Sequence, residues 1–319
     1  MSQHFQESYQ IAHLNLKPKG IMSTLEWKRL TIVGCGLMGA SFALALKRSG
    51  IQTPIAGWDC SETVLKTALE RGVIDEVDRS FSNGTVSAAD LIYLAMPVGG
   101  IVEFLRTHGS QAKEGALITD TGSTKAEVCR AAREYLPEGR NFVGGHPITG
   151  SQHAGLAHAR ADLFAHTTYV LIEESEAVDG LFELTQALEA FEAHVVFMTA
   201  AEHDSTLALI SHLPQLLSTA LAATVKSQSH ANALLKIAGP GYRDMTRLAA
   251  SPWSMWRDIL ATNPAPITNA LSAMVRSLTI LEAELQKCSG QKEVSLMAAE
   301  RMFEQAQAPP ESNRCLVAL

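Results

Sequence analysis

The sequence predicts an α/β fold, a doubly wound parallel sheet, followed by an all-α domain. Three observations carry that prediction. Short apolar runs alternate with helical patterns between Leu30 and Met198, which implies parallel strands with both sheet faces covered. A glycine cluster, Gly34-Cys35-Gly36-Leu37-Met38-Gly39, follows the first run directly and opens a helical pattern. After Met198 the strand signals stop and an Ala/Leu-rich helical stretch begins.

Taken in order, residues 1–27 are polar and without sustained period, and are expected to form a flexible extension, with Met22 an alternative start. Strands are predicted at 30–33, 54–58, 91–95, 116–119 and 142–143, and helices at 40–49, 61–71, 101–107 and 123–135. A further strand, helix and strand at 168–172, 181–191 and 195–198 complete a domain spanning 28–198. Thr199-Ala200-Ala201-Glu202 is a capping box, in which the threonine hydroxyl accepts a helix amide and the glutamate reaches back to the threonine amide. It opens a helix running to about Lys226, kinked where Pro214 removes an amide donor. Helices at 232–237, 253–261 and 267–285 complete a second domain, 199–286. That domain carries more apolar surface than one short bundle buries, which predicts a homodimer by helix exchange. Residues 287–319 are polar, include Pro309-Pro310, and are expected to fray.

Composition narrows the function. A chain of 319 residues has room for about two domains. With 46% hydrophobic and 18% charged residues it is not a disordered chain. The net charge of −7 argues against nucleic acid or an anionic membrane surface as partner, and no unbroken run of about 18 apolar residues predicts a membrane span. Cys35, Cys60, Cys129, Cys288 and Cys315 are scattered, odd in number and lack CxxC spacing. They imply a reduced, cytoplasmic chain with neither a disulfide framework nor a metal site.

The glycine cluster has the GxGxxG form of a Rossmann-type dinucleotide site. Gly34 permits the tight turn, Gly36 lets the backbone approach a pyrophosphate, and Gly39 allows close helix–strand packing. Leu37 and Met38 then contribute helix amides that face the anion. Asp59 lies 20 residues beyond Gly39 at the end of the second strand, where a carboxylate accepts ribose hydroxyls and repels a 2′-phosphate. NAD is therefore expected over NADP. The plainer alternative is that Asp59 caps the next helix. Met96, Pro97 and Asp120, at later strand ends, are the remaining cofactor candidates.

Two strand ends carry the chemistry. Asp120-Thr121-Gly122-Ser123-Thr124-Lys125 follows one, and Gly144-Gly145-His146-Pro147-Ile148-Thr149-Gly150-Ser151 follows the next. Histidine is the natural proton acceptor near neutral pH, and glycines beside His146 would permit close substrate approach. Ser123 is either an N-cap of the following helix or a catalytic hydroxyl, and the two roles are compatible.

GCGLMG, DTGSTK, GGHPITGS, AEHDSTLALISHLP and GYRDMTRLAASPWSMWRDI, in this order, resemble the prephenate/arogenate dehydrogenase family over residues 30–285. The resemblance implies a Rossmann-type domain with a helical dimerisation domain. It also implies oxidative decarboxylation of a cyclohexadienyl acid, with the nicotinamide taking hydride. In such a substrate a ring alcohol and a ring carboxylate stand para, and loss of carbon dioxide restores aromaticity. The protein then supplies orientation, one proton acceptor and anion binding.

By that resemblance His146 accepts the ring hydroxyl's proton and Ser123 orients His146. Arg247 binds the substrate carboxylate, with Arg243 more structural beside Asp244. Trp256, His212, Gln215, Thr149 and Ser151 are the further substrate-binding candidates, with helical core the alternative for Trp256. Many prephenate-specific members carry a histidine where this chain has Gln215, which leaves prephenate, arogenate or both as substrate. Neither a regulatory domain after the helices nor a mutase segment before the sheet is expected, hence a monofunctional enzyme. Two other readings stay open. One is a β-hydroxyacid dehydrogenase, which would need a helical-domain lysine that this chain does not persuasively offer. The other is a non-catalytic NAD-binding regulator.

Overall fold

A computed structural model describes residues 27–79, 81, 84–149, 154–173, 178–288 and 296–307. The expected extension before Trp27, much of the polar tail, and Gly150 and Ser151 lie outside the described residues. The chain divides into two compact units. One comprises the chain to Leu207 with Ala250–Asn263, the other Ala208–Ala249 with Pro264 onward. This departs from a boundary at 198/199, because the segment 250–263 returns to the first unit. There Asp258 accepts the Gly99 amide at 3.1 Å and Thr262 bonds Thr124 at 2.8 Å.

In the first unit the elements run β1 (Leu30–Val33), α1 (Leu37–Arg48), β2 (Ile55–Trp58), α2 (Glu62–Glu70), β3 (Glu76–Val77), α3 (Thr85–Ala88), β4 (Leu91–Leu94), α4 (Val98–His108), β5 (Leu117–Asp120), α5 (Ala126–Tyr135) and β6 (Asn141–Val143). β7 (Gly145–Ile148), β8 (Thr168–Ile172), α6 (Leu181–Ala190), β9 (His194–Met198) and α7 (Ala200–Leu207) follow. Six strands form a wholly parallel sheet in the order β3-β2-β1-β4-β5-β6, the doubly wound arrangement. Alternation along the strands explains why both faces are covered. Leu30, Ile32, Leu91, Tyr93 and Leu117 enter one core with Phe42, Leu46, Leu65 and Leu188 from the helices. Val33, Ile92, Leu94 and Ile118 enter the other with Ile101, Phe104, Val128 and Ala132.

Two features were not expected. Residues 145–148 are a strand, β7, pairing antiparallel with β8 and placing His146 opposite Val170; β8 pairs in parallel with β9 in a separate three-stranded sheet. The helix expected from residue 123 starts at Ala126 instead, because Asp204 accepts the Lys125 and Ala126 amides at 2.7 and 2.9 Å.

The capping box forms as the sequence dictates. Thr199 Oγ1 accepts the Glu202 amide at 3.2 Å and the Glu202 carboxylate accepts the Thr199 amide at 2.9 Å. The helical run continues as a π-helical segment, Ala208–His212, and then α8 (Leu213–Lys226) with Pro214 in its first turn. A wide helical turn ahead of the proline is how the chain absorbs the missing donor. The run Ala200–Lys226 is long and apolar enough to cross a membrane by length and composition alone, although polar residues interrupt it. Its first turns carry Glu202, His203 and Asp204, each hydrogen-bonded within the protein.

The second unit continues with α9 (Ala231–Lys236), α10 (Pro240–Thr246) and a 3-10 turn, Arg247–Ala250, whose last residue falls in the first unit. α11 (Trp253–Thr262) belongs to the first unit, and α12 (Pro264–Cys288) and α13 (Met297–Gln307) to the second. α13 falls in the tail that was expected to fray. Its amides at Ala298 and Ala299 donate to Glu284 of α12, both at 2.8 Å.

Candidate active site

The glycine loop links β1 to α1, and each glycine has a visible reason. Gly34 has φ +97°, and a Cβ there would stand 2.3 Å from the Ala95 carbonyl oxygen. A Cβ on Gly39 would stand 2.1 Å from the Gly34 carbonyl oxygen and 2.7 Å from Ile32. At Gly36 a Cβ would meet nothing within 4 Å, so its backbone is approachable, and Gly36 is also the N-cap of α1, ahead of Leu37 and Met38. A cradle of this form fits a pyrophosphate at a helix N-terminus.

Asp59 stands just after β2 and accepts the Cys35 amide on Oδ2 and the Ser61 amide on Oδ1, each at 2.9 Å. It therefore ties the glycine loop to the end of β2; Oδ2 keeps a second lone pair for a ribose hydroxyl, while Oδ1 also accepts the exposed Cys60 thiol at 3.7 Å. The cap of α2 is Ser61, which accepts the Val64 amide, and not Asp59. Cys35 is inert inside this loop: burial, then the nearby Asp59 charge, pushes its thiol up to about 12. Met96 follows β4 and packs beside Gly34, and Pro97 is the N-cap of α4.

Asp120, the last cofactor candidate, has a fully buried side chain whose oxygens are taken up within the protein. Oδ1 accepts the Gly145 amide at 3.1 Å, and Oδ2 accepts the Gly122 amide at 2.7 Å and pairs with the equally buried Lys125 ammonium. Lys125 also donates to the Gly145 carbonyl at 2.8 Å. A buried ion pair survives desolvation only with its remaining valences filled, and here they fasten β7 to the carboxyl end of β5. The glycines beside His146 serve the same packing. A Cβ at Gly145 would lie 2.6 Å from the Asp120 carbonyl oxygen, and one at Gly144 would lie 3.0 Å from Ile172.

His146 is half-buried on β7, and its Nδ1 lies 2.8 Å from Nε2 of His203. His203 is fully buried on α7, and its Nδ1 lies 2.8 Å from the Asp204 carboxylate. Burial holds the His203 imidazolium below its ordinary 6.5 against the opposing pull of Asp204. Burial alone would raise the Asp204 carboxyl, but hydrogen bonds from His203, Ala126 and Lys125 hold it below its usual range. His203 and Asp204 had no assigned role in the sequence reading, although both sit in the AEHDST segment. Their adjacency on one helix turn gave no sign that one faces β7 while the other caps α5.

Ser123, expected to orient His146, makes no hydrogen bond to it among the described residues, and Lys125 rather than Ser123 holds the N-cap position of α5. The Thr149 hydroxyl reaches the Leu163 carbonyl at 3.4 Å. Trp256 is buried on α11.

Arg247, His212 and Gln215 belong to the second unit. Arg247 is exposed at the head of the 3-10 turn and forms no salt bridge among the described residues. The turn is held from α8, where Gln215 Nε2 donates to the Leu248 carbonyl at 2.8 Å and Ser218 Oγ accepts the Ala249 amide at 3.0 Å. The Gln215 amide thus braces the segment carrying Arg247, a role the substrate-binding expectation did not include. His212 is buried at the end of the π-helical segment. Arg243 bonds the Ala238 carbonyl at 2.9 Å instead of pairing with Asp244.

Two family models match. "Prephenate dehydrogenase, nucleotide-binding domain" covers residues 42–209 and "Prephenate dehydrogenase, dimerization domain" covers 199–299. A prephenate dehydrogenase of Bacillus subtilis is 36% identical over 255 residues, 78% of this chain and 68% of that one. The structure resembles that of prephenate dehydrogenase from A. aeolicus in complex with hydroxyphenyl propionate and NAD+, with TM-score 0.79 and 28% identity, covering 89% of this chain and 100% of that one. It also resembles Synechocystis arogenate dehydrogenase, with TM-score 0.73 and 26% identity, covering 87% and 96%. With both halves of the architecture matched, this chain belongs to the prephenate dehydrogenase family of nicotinamide-dependent oxidoreductases.

Proposed function

We propose that this chain converts prephenate to 4-hydroxyphenylpyruvate by NAD-dependent oxidative decarboxylation, and that arogenate is a second substrate. The observation that carries the reading is an imidazole, His146, held beside the carboxyl end of a dinucleotide-binding sheet by a buried histidine–aspartate pair. Open α/β sheets bind ligands at that edge.

NAD, when bound, supplies the hydride acceptor. Gly34, Gly36 and Gly39 with the first amides of α1 hold its pyrophosphate, and Asp59 accepts its ribose hydroxyls. His146 takes the proton of the ring hydroxyl as the carbinol carbon loses hydride. The ring carboxylate then leaves as carbon dioxide, its bonding pair enters the ring, and His146 returns the proton to the same oxygen as the phenol forms. Arg247 holds the carboxylate end of the substrate in a guanidinium fork, on a turn braced by Gln215 and Ser218. Ser123 contacts the substrate hydroxyl, and Trp256, His212 and Thr149 line the substrate.

The active form is a cytoplasmic homodimer joined through the helical unit. On α12, Leu271, Val275, Leu278 and Leu285 are exposed at spacings of four, three and seven residues, one apolar stripe along the helix. Steady-state reduction of NAD and NADP with prephenate and with arogenate, run in parallel, tests the reading. Turnover of prephenate with NAD, and more slowly of arogenate, is expected. No dinucleotide reduction with either acid would overturn it.

A further inference from the structure

We propose that Asp204 and His203 are positioning residues that fix the tautomer of His146, placing its proton on Nδ1 and its basic lone pair on Nε2. The proposal deepens the reading of His146 as proton acceptor and rests on it.

The hydrogen-bond directions leave one assignment. Asp204 accepts two backbone amides, from Lys125 and Ala126, at the N-terminus of the ten-residue helix α5. Amides only donate, and the helix end favours negative charge, so Asp204 is an ionised acceptor toward its third partner as well. His203 Nδ1 at 2.8 Å must therefore carry the hydrogen. A neutral His203 has one N–H, so its Nε2 is bare and accepts. His146 Nδ1, 2.8 Å from that nitrogen, must donate. The neutral His146 ring then has its lone pair on Nε2, the nitrogen required to receive a hydroxyl proton.

The opposite assignment needs a cationic His203, with both nitrogens donating and His146 carrying hydrogen on Nε2. His203 is fully buried, and the charged groups acting on it are Asp204 on its own helix, Lys125 before α5 and Asp120 on β5. The Lys125 ammonium repels a second cation there and the Asp120 carboxylate attracts one, and because the two are paired with each other the burial of His203 is the larger effect. The neutral ring is the form that burial favours. Protonation of His146 during turnover keeps its bond to His203, because Nδ1–H still donates. The catalytic proton arrives at and leaves from Nε2 alone.

The test uses full-length enzyme with NAD. In Asp204→Asn one of the two amide-accepting oxygens becomes an NH2 and the charge that holds hydrogen on His203 Nδ1 is lost, so the His203 and His146 tautomers are no longer fixed. A wrong tautomer behind a catalytic histidine costs up to about 10⁴ in kcat. The expectation is a kcat loss of about 10²–10⁴ with NAD affinity unchanged, and a shifted acid limb in the pH profile of kcat/KM. Because Asp204 also caps α5, His203→Gln and His203→Leu provide an independent comparison. The glutamine offers a carbonyl acceptor to His146 Nδ1 and is expected to retain several-fold more kcat than the leucine. Ring 15N shifts of wild-type enzyme labelled in histidine read the tautomer directly, with Nδ1 of His146 expected protonated and Nε2 bare. A bare Nδ1, or wild-type kcat and pH profile in Asp204→Asn and His203→Leu, would overturn the proposal. If instead His146→Asn keeps wild-type turnover, the parent reading of His146 fails.

Discussion

In the function proposed above, two side chains of opposite charge carry recognition, Asp59 for the cofactor and Arg247 for the substrate. Asp59 already accepts one amide on each oxygen, which fixes the carboxylate plane before any ribose arrives. Asp59→Ser removes the charge that repels a 2′-phosphate. The NAD-to-NADP preference in kcat/KM is expected to shrink by about tenfold or more, the size of one lost charged hydrogen bond of about 1.5–3 kcal/mol. An unchanged ratio would move cofactor discrimination elsewhere. Arg247 is exposed, yet the turn that bears it is pinned at Leu248 and Ala249. Arg247→Gln is expected to raise KM for prephenate by about 10-fold or more while leaving KM for NAD alone. Equal effects on both would contradict a substrate-carboxylate role. The glycine turn and the place of Asp59 just after β2 were legible from spacing, because a tight strand-to-helix turn restricts its residues so closely. His203 and Asp204 were not, since their roles depend on which elements happen to pack against one turn of α7.

At the scale of elements, β7 and α5 are set by contacts distant in sequence. β7 exists as a strand because Gly145 lets its backbone pass the end of β5, where Asp120 and Lys125 clamp it. Gly145→Ala would force a Cβ to within 2.6 Å of a backbone oxygen that cannot rotate away. A loss of about 1–3 kcal/mol is expected, read as a lower Tm, together with reduced kcat as His146 shifts. A Tm equal to wild type would show that β7 has slack. The parallel strands β1, β2, β4, β5 and β8 were readable as apolar runs flanked by turns. β3 is two residues long and α3 four, too short for any periodicity to register. The GGHPITGS segment reads as a loop because glycine and proline disfavour strands, yet Gly145 and Pro147 both sit in β7. α13 escaped notice because its start is stabilised by Glu284, a residue of the preceding helix.

Across the molecule the buried ionisable groups give stability a definite pH slope. His203 is held below its ordinary 6.5, so the unfolded chain takes up a proton there before the folded one does. Stability is therefore expected to fall as pH drops below about 6.5. Asp204, held below its ordinary 3.8, adds a second loss in the same direction at lower pH, as the folded state's carboxylate is protonated. Thermal melts of the wild type from pH 7 to 5 should decline, and His203→Gln should flatten that decline. A steeper decline in the variant would contradict the assignment. The two-part plan, a sheet unit and a helical unit, was readable from the loss of strand signals after Met198. The return of segment 250–263 to the first unit was not, because α11 reads as one more helix in a run of helices after Met198.

The central claim is that His146 accepts the substrate hydroxyl's proton in an NAD-dependent aromatising oxidation. Single-turnover NAD reduction by prephenate in His146→Asn, with NAD binding measured on the same protein, tests it most directly. Loss of a positioned base predicts a rate lower by about 10²–10⁴ with the NAD Kd unchanged. A variant that reduces NAD at the wild-type rate would contradict it.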